Sequence, residues 1–212
     1  MIVLTRFLAA VAAMTVVVAL SNYLVQFPLD AAIGTYQLAD LLTWGAFTYP
    51  VAFLVNDLTN RYFGAATARI VVLAGFVVAV IVSIFLATPR IAIASGSAFL
   101  VAQLLDTVVF DRMRAATWWK APLLSSLLGS IVDTVLFFSL AFAAQFAVLG
   151  PNDGFAIEVA PLLGLFSVSV PRWMSWALGD FGVKMLVALV MLAPYGLLRR
   201  AIADRVLHPA RG

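Results

Sequence analysis

Residues 66–87 read ATARIVVLAGFVVAVIVSIFLA, with one charge, Arg69, near the start and none after it. A helix needs about 20 mainly apolar residues to cross the hydrocarbon core of a bilayer, and this stretch supplies them. The rest of the chain agrees. Of its 212 residues, 64% are hydrophobic and only 11% are charged, and the mean hydropathy is +1.08. A soluble domain is about a quarter charged, so the solvent that this chain meets is lipid.

Working outward from Ala66–Ala87, the pattern predicts five more spans. They are Phe7–Val25, Tyr36–Leu58, Ile91–Phe110, Pro122–Val148 and Trp173–Leu198. The first follows Arg6 as a signal peptide would, but a signal peptide's apolar region is only ~7–15 residues long. Gly150-Pro151-Asn152-Asp153-Gly154 is the clearest loop, and the segment from there to Pro171 reads as re-entrant or interfacial. With six spans, Arg6, Arg61, Arg69, Arg112, Arg114, Lys120, Arg199, Arg200, Arg205 and Arg211 fall on one side; Arg90 and Arg172 fall on the other. That bias places both termini in the cytoplasm. Trp118, Trp119, Trp173 and Trp176 sit near span ends, as interfacial tryptophans do. The expectation is an all-α membrane protein of six transmembrane helices, forming one domain over residues 1–212.

Composition also excludes chemistry. There is no cysteine, and the one histidine is His208. Disulfides, thiolate catalysis and cysteine metal sites are ruled out, and Ser-His-Asp catalysis in the membrane is too. No P-loop, GxSxG or HExxH motif occurs. No enzyme activity, cofactor or metal is expected. The net charge of +3 follows from the helix-end cations and implies no nucleic acid.

Charged residues inside spans carry the functional reading. An ionised Asp at mid-helix costs about 2.5–3.5 kcal/mol on the insertion scale, and such residues usually face the bundle interior. Asp133 lies deepest in its span. Ser126, Ser130, Asp133 and Phe137 share one helical stripe, a wall suited to a planar polar solute or, alternatively, a helix–helix contact. Gln103, Asp106 and Phe110 form a similar stripe, with Arg112 about 9 Å from Asp106 along the axis as an alternative partner. Asp57 and Asn60 end the second span, where Asp57 also stands four residues from Arg61. Seven residues before Asp57, Pro50 removes a backbone donor, giving a static kink or a gate. Lys184 stands one turn after Asp180, a spacing that favours an ion pair, and it can also neutralise Asp133 across the bundle. Asp40 reads as an outer helix end. Ala9 and Ala13 form a small-residue face, for internal packing or for a partner or second copy of the chain. Val132–Phe137 weakly echoes Leu105–Phe110.

These motifs together resemble the queuosine precursor transporters of bacteria, also called the VUT family. The first block is Thr48-Tyr49-Pro50, Phe53-Leu54, Asp57, Asn60, Gly64 and Ala68-Arg69. The second is Pro89 through Ser95, Ala98-Phe99, Gln103 through Asp106, Val109-Phe110-Asp111 and Arg114. The third is Trp118-Trp119, Ser125-Ser126, Asp133-Thr134, Phe137-Phe138 and Ala141-Phe142. Arg61 departs from the family, which often has Glu there, and serves topology instead. The resemblance implies six spans in the cell inner membrane and import of 7-cyano-7-deazaguanine or 7-aminomethyl-7-deazaguanine. The candidate site read from the residues comprises Asp57, Asn60, Gln103, Asp106, Phe110, Ser126, Ser130, Asp133, Phe137 and Lys184, with Pro50 in gating. Asp57, Asp106 and Asp133 are expected to include the acid that holds the guanine-like edge, with Phe110 and Phe137 able to stack on the ring. It also suggests likeness to the substrate-binding subunits of energy-coupling-factor importers, which need a partner module. Proton or ion coupling is compatible with buried carboxylates.

Overall fold

Inside a bilayer, backbone polar groups have no water to bond, so an apolar chain satisfies them within helices. The computed structural model describes residues 2–33, 36–38 and 42–207. In chain order these form α1 (Ile2–Leu24), strands β1 (Ala32–Ile33) and β2 (Tyr36–Gln37), then α2 (Gly45–Thr48) and α3 (Val51–Phe63). There follow α4 (Ala65–Leu86), α5 (Pro89–Met113), α6 (Lys120–Phe142), the short α7 (Gly154–Ile157), β3 (Val159–Pro161), β4 (Ser169–Pro171) and α8 (Arg172–Leu207). Among the described residues, α1, α4, α5, α6 and α8 are long and apolar enough to cross a membrane. β1 pairs with β2 and β3 with β4, both antiparallel, as small hairpins in the connections.

The predicted span Ala66–Ala87 is α4, within one residue at each end. Its Ile70, Leu73, Val77, Ile81 and Ile84 recur every three or four residues and are exposed. That is the lipid face. Its other face buries Val71, Val72 and Ala79 against Met14 and Val18 of α1 and Phe99 of α5. The internal seam of α1 therefore runs through Met14 and Val18. Ala9 lies on the exposed side.

The second expected span is corrected. Tyr36 stands in β2 rather than in a helix, and the helical part comprises α2 and α3, joined at Tyr49-Pro50. Pro50 cannot donate, yet Tyr49 and Pro50 keep right-handed helical angles, so the chain kinks without unwinding. At the other end α3 runs past Leu58 to Phe63, because its polar residues find partners on α5. The fifth span is also corrected. It stops at Phe142, and residues 144–149 turn off as a 3-10 segment. Asp40 and His208 lie outside the described residues.

Gly64 alone separates α3 from α4. Its φ of +83° is a turn that an L side chain rarely adopts. Gly129 of α6 serves close approach. A β-carbon there would lie 2.6 Å from Phe53 Cε1 of α3 and 3.4 Å from the Ala102 carbonyl of α5. Overpacking typically costs about 1–3 kcal/mol, so Gly129→Ala should lower the melting temperature of the purified protein. An unchanged melting temperature would show that Phe53 is not wedged between α5 and α6.

The ends of the bundle differ. At one, Arg61 Nη1 donates to the Arg114 carbonyl at 2.6 Å, and Arg114 Nη2 donates to the carbonyls of Asn60 and Arg61 at 2.9 and 3.2 Å. Each guanidinium caps the other helix's C-terminus, where the helix dipole favours a cation. The same end holds Lys120, Trp118 and Arg199, whose carbonyl accepts from Tyr62 at 2.7 Å. Arg61 is thus turned away from Asp57. No ion pair joins Asp106 to Arg112; the pair nearby is Arg114–Asp111. At the opposite end Arg90 and Arg172 hold the segment between α6 and α8.

Candidate functional site

A cavity of about 610 Å³ lies among α1, α2, α4, α5, α6 and α8, toward the end that holds Arg90. This falls within the usual range for small-molecule sites, about 300–1,000 Å³. Aromatic rings form one wall. Phe142 and Trp176 meet edge to face at 5.5 Å between centroids, and Phe155 lies 6.1 Å from Trp176. Phe137 and Phe138 continue this wall, and Asn22, Tyr49 and Ser95 add polar groups.

The charged residues lining the cavity are Asp133, Asp180 and Lys184. Lys184 Nζ donates to Asp133 Oδ2 at 2.6 Å and pairs with Asp180 Oδ2 at 2.5 Å. It also donates to Thr134 Oγ1 at 3.2 Å and sits 6.0 Å from the Tyr49 ring centroid. Thr134 Oγ1 in turn donates to Asp180 Oδ2 at 3.1 Å. Lys184 is only 3% exposed. Burying an ammonium in lipid is costly unless it is paired, and here it has two acids. Both pairings named from sequence, with Asp180 along α8 and with Asp133 across to α6, are present together.

Of the ten substrate-site residues expected, Asp133, Phe137 and Lys184 line this cavity. The others lie nearer the basic end, packed between α3, α5, α6 and α8. Asn56 Nδ2 donates to Asp106 Oδ2 at 2.8 Å, to Thr107 Oγ1 and to the Gln103 carbonyl. Asn60 Nδ2 donates to the Thr107 carbonyl at 2.8 Å, and Ser125 Oγ donates to Asp57 Oδ1 at 3.2 Å. Ser126 borders a recess of about 10 Å³ beside Asp57 and Pro50, too small to admit a solute. Ser130 is buried, and its hydroxyl has no protein partner. Phe110 is fully buried against Tyr195, 6.3 Å away and edge to face. The stripe Ser126, Ser130, Asp133, Phe137 therefore runs from this closed zone into the cavity, and Pro50 stands at the junction.

Sequence reasoning missed Tyr49, Asn22, Ser95 and Asp180 as lining residues, and it placed Trp176 at the lipid interface. Asn22, near the end of an otherwise apolar span, was a readable signal, and Asp180 was read as the partner of Lys184 rather than as lining.

A membrane bundle with a polar-floored, aromatic-walled cavity is the architecture of a small-solute carrier or receptor. The chain belongs to the family described as "Putative vitamin uptake transporter", which matches residues 43–88 and 79–198. It is 34% identical to the "Queuosine precursor transporter" of Escherichia coli, over 90% of this chain and 85% of that one. It is 32% identical to the "Probable queuosine precursor transporter" of Haemophilus influenzae, with the same coverage. No solved structure matches it.

Proposed function

We propose that this protein imports queuosine precursors, 7-cyano-7-deazaguanine or 7-aminomethyl-7-deazaguanine, across the cell inner membrane. The names of its relatives support that substrate class, and the observation that carries it is the floor of the cavity. A deazaguanine is planar, with N–H donors and a carbonyl on its pairing edge. Asp133 can accept from the donors, and Lys184, whose three protons go to Asp133, Asp180 and Thr134, holds that carboxylate in place. Phe137 and Trp176 offer ring faces for stacking. Of the three acids expected to hold this edge, Asp133 is the one beside the open space.

In this reading α2 and α3 make a sixth crossing, about 28 Å long from Gly45 to Phe63 at 1.5 Å per residue. That number returns both termini to one side, and the basic end faces the cytoplasm. The cavity then opens outward, and the kink at Pro50 is where the inner half moves. With no P-loop in the chain, uphill import draws on an ion gradient, a partner module or metabolic trapping.

The test is a precursor-starved host that lacks both its own importer and any energy-coupling-factor module. Expression of this chain should restore queuosine in tRNA when either precursor is fed. No queuosine in that host, with restoration once a module is supplied, would reassign the chain as a substrate-binding subunit.

A further inference from the structure

Below the cavity lies a pair of acids that the ion triad does not reach. Asp57 of α3 and Asp106 of α5 are 2% and 0% exposed. Their carboxyl groups lie side by side, and Ser125 of α6 donates to Asp57. Neither is in an ion pair among the described residues, whose ion pairs are Arg114–Asp111, Arg172–Glu158 and those of Lys184.

The charged and titratable groups around the pair are otherwise engaged. On α3, Arg61 donates to the Arg114 carbonyl. On α5, Arg114 is taken by Asp111 and by the end of α3. Lys184 of α8 is held by Asp133 and Asp180. Tyr195 of α8 shares the small recess with Asp57. Arg69 of α4 is exposed.

Unmet hydrogen-bonding capacity points the same way. Asp106 Oδ1, Asn60 Oδ1 and both amide atoms of Gln103 are buried without a partner. Three of these four atoms are acceptors, so the cluster is short of positive charge and of donors. The recess beside Asp57 is about 10 Å³, no more than one water needs. That space has no room for a metal ion with its oxygen shell, whereas a proton needs none.

We propose that Asp57 and Asp106 form a proton-binding pair that couples solute movement to the proton gradient. Two carboxylates in contact and out of water repel each other strongly, and one shared proton turns that repulsion into a hydrogen bond. The proton thereby ties α3 to α5 and keeps the basic end closed while the cavity is open at the other. Loss of the proton to the cytoplasm leaves two like charges face to face and drives the helices apart below the Pro50 kink. The proton is then replaced from the outer side, where Ser130 and Ser126 lie on the α6 face between Asp133 and the pair. No bond other than the O–H changes.

The idea rests on the transport reading above, and its test separates the two. Purified protein is reconstituted into liposomes and given labelled 7-cyano-7-deazaguanine. For the wild type, an inside-alkaline pH gradient should drive accumulation, a sodium gradient alone should not, and an imposed solute gradient should move protons. Asp106→Asn and Asp57→Asn should lose accumulation by about tenfold or more, while the affinity for labelled 7-cyano-7-deazaguanine at the open cavity stays within about twofold of wild type. Accumulation by both variants equal to wild type would overturn the proposal. So would loss of precursor binding together with accumulation in a variant that melts like wild type, since the pair would then belong to the solute site. Where a variant does not fold, absence of solute-driven proton movement in the wild type overturns it. A wild type that shows neither accumulation nor exchange removes the transport reading itself.

Discussion

Lys184→Met should abolish precursor uptake and sharply destabilise the protein. Among the described residues the ammonium is the one cation facing Asp133 and Asp180 across the cavity floor, at 2.6 and 2.5 Å. Removing one partner of a buried ion pair typically costs about 3–5 kcal/mol, because the remaining charge is left uncompensated. Here two acids are left, although Asp180 is partly open to the cavity, which moderates the effect. Lys184→Arg should not rescue uptake. A planar guanidinium does not reproduce three bonds diverging from a single nitrogen. The double variant Lys184→Met with Asp133→Asn separates scaffold from site: it removes one charge of each sign, so melting temperature should recover in part while uptake stays absent. Recovered uptake in that double variant would show that the triad only holds α6 to α8.

The second large effect belongs to Arg90, which sequence reading treated as a topology charge. It is 3% exposed and has no acidic partner among the described residues. Its guanidinium donates to the carbonyls of Leu140 and Ala143 at the end of α6, to those of Gly150 and Pro151, and to Asn152 Oδ1. The last carbonyls of a helix are orphan acceptors at the negative end of its dipole, and Arg90 satisfies them while clasping the loop beyond. A buried acceptor left unmet costs about 1–3 kcal/mol, so Arg90→Ala should lose several kcal/mol. It should also free the segment from Ala144 to Pro171, which carries Phe155 into the cavity wall. Melting temperature and limited proteolysis of that segment report on it. Arg90→Lys should fail as well, since one nitrogen cannot span five acceptors. Wild-type melting and proteolysis in Arg90→Ala would contradict this role.

These two residues show where sequence reading succeeds and where it stops. Lys184, Asp180 and Asp133 were legible because a charge in an apolar span needs a partner, and the i, i+4 spacing names one. Span positions were legible where a single solvent, lipid, sets the pattern, as in α4. Arg90 was not legible, because its partners are backbone carbonyls some 50 to 60 residues away, and backbone leaves no mark on side-chain pattern. The same cause explains the fifth span. Residues 143–148 are apolar enough to continue a helix, and only tertiary contacts end it. In the second span, Asn56 through Arg61 read as a polar helix end, whereas partners on α5 and α6 let the helix continue to Phe63. The site was half legible. Depth in a span identified acids that cannot face lipid, but it could not distinguish Asp133, at a cavity, from Asp57 and Asp106, packed shut. Tyr49 and Trp176 carry no charge to betray them.

The most direct measurement is uptake of labelled 7-cyano-7-deazaguanine by the purified chain alone in liposomes. Saturable uptake, competed by the 7-aminomethyl compound and absent from Lys184→Met paired with Asp133→Asn, is the predicted result. If the chain binds the base yet moves none of it without another protein, it is a receptor and the carrier account fails.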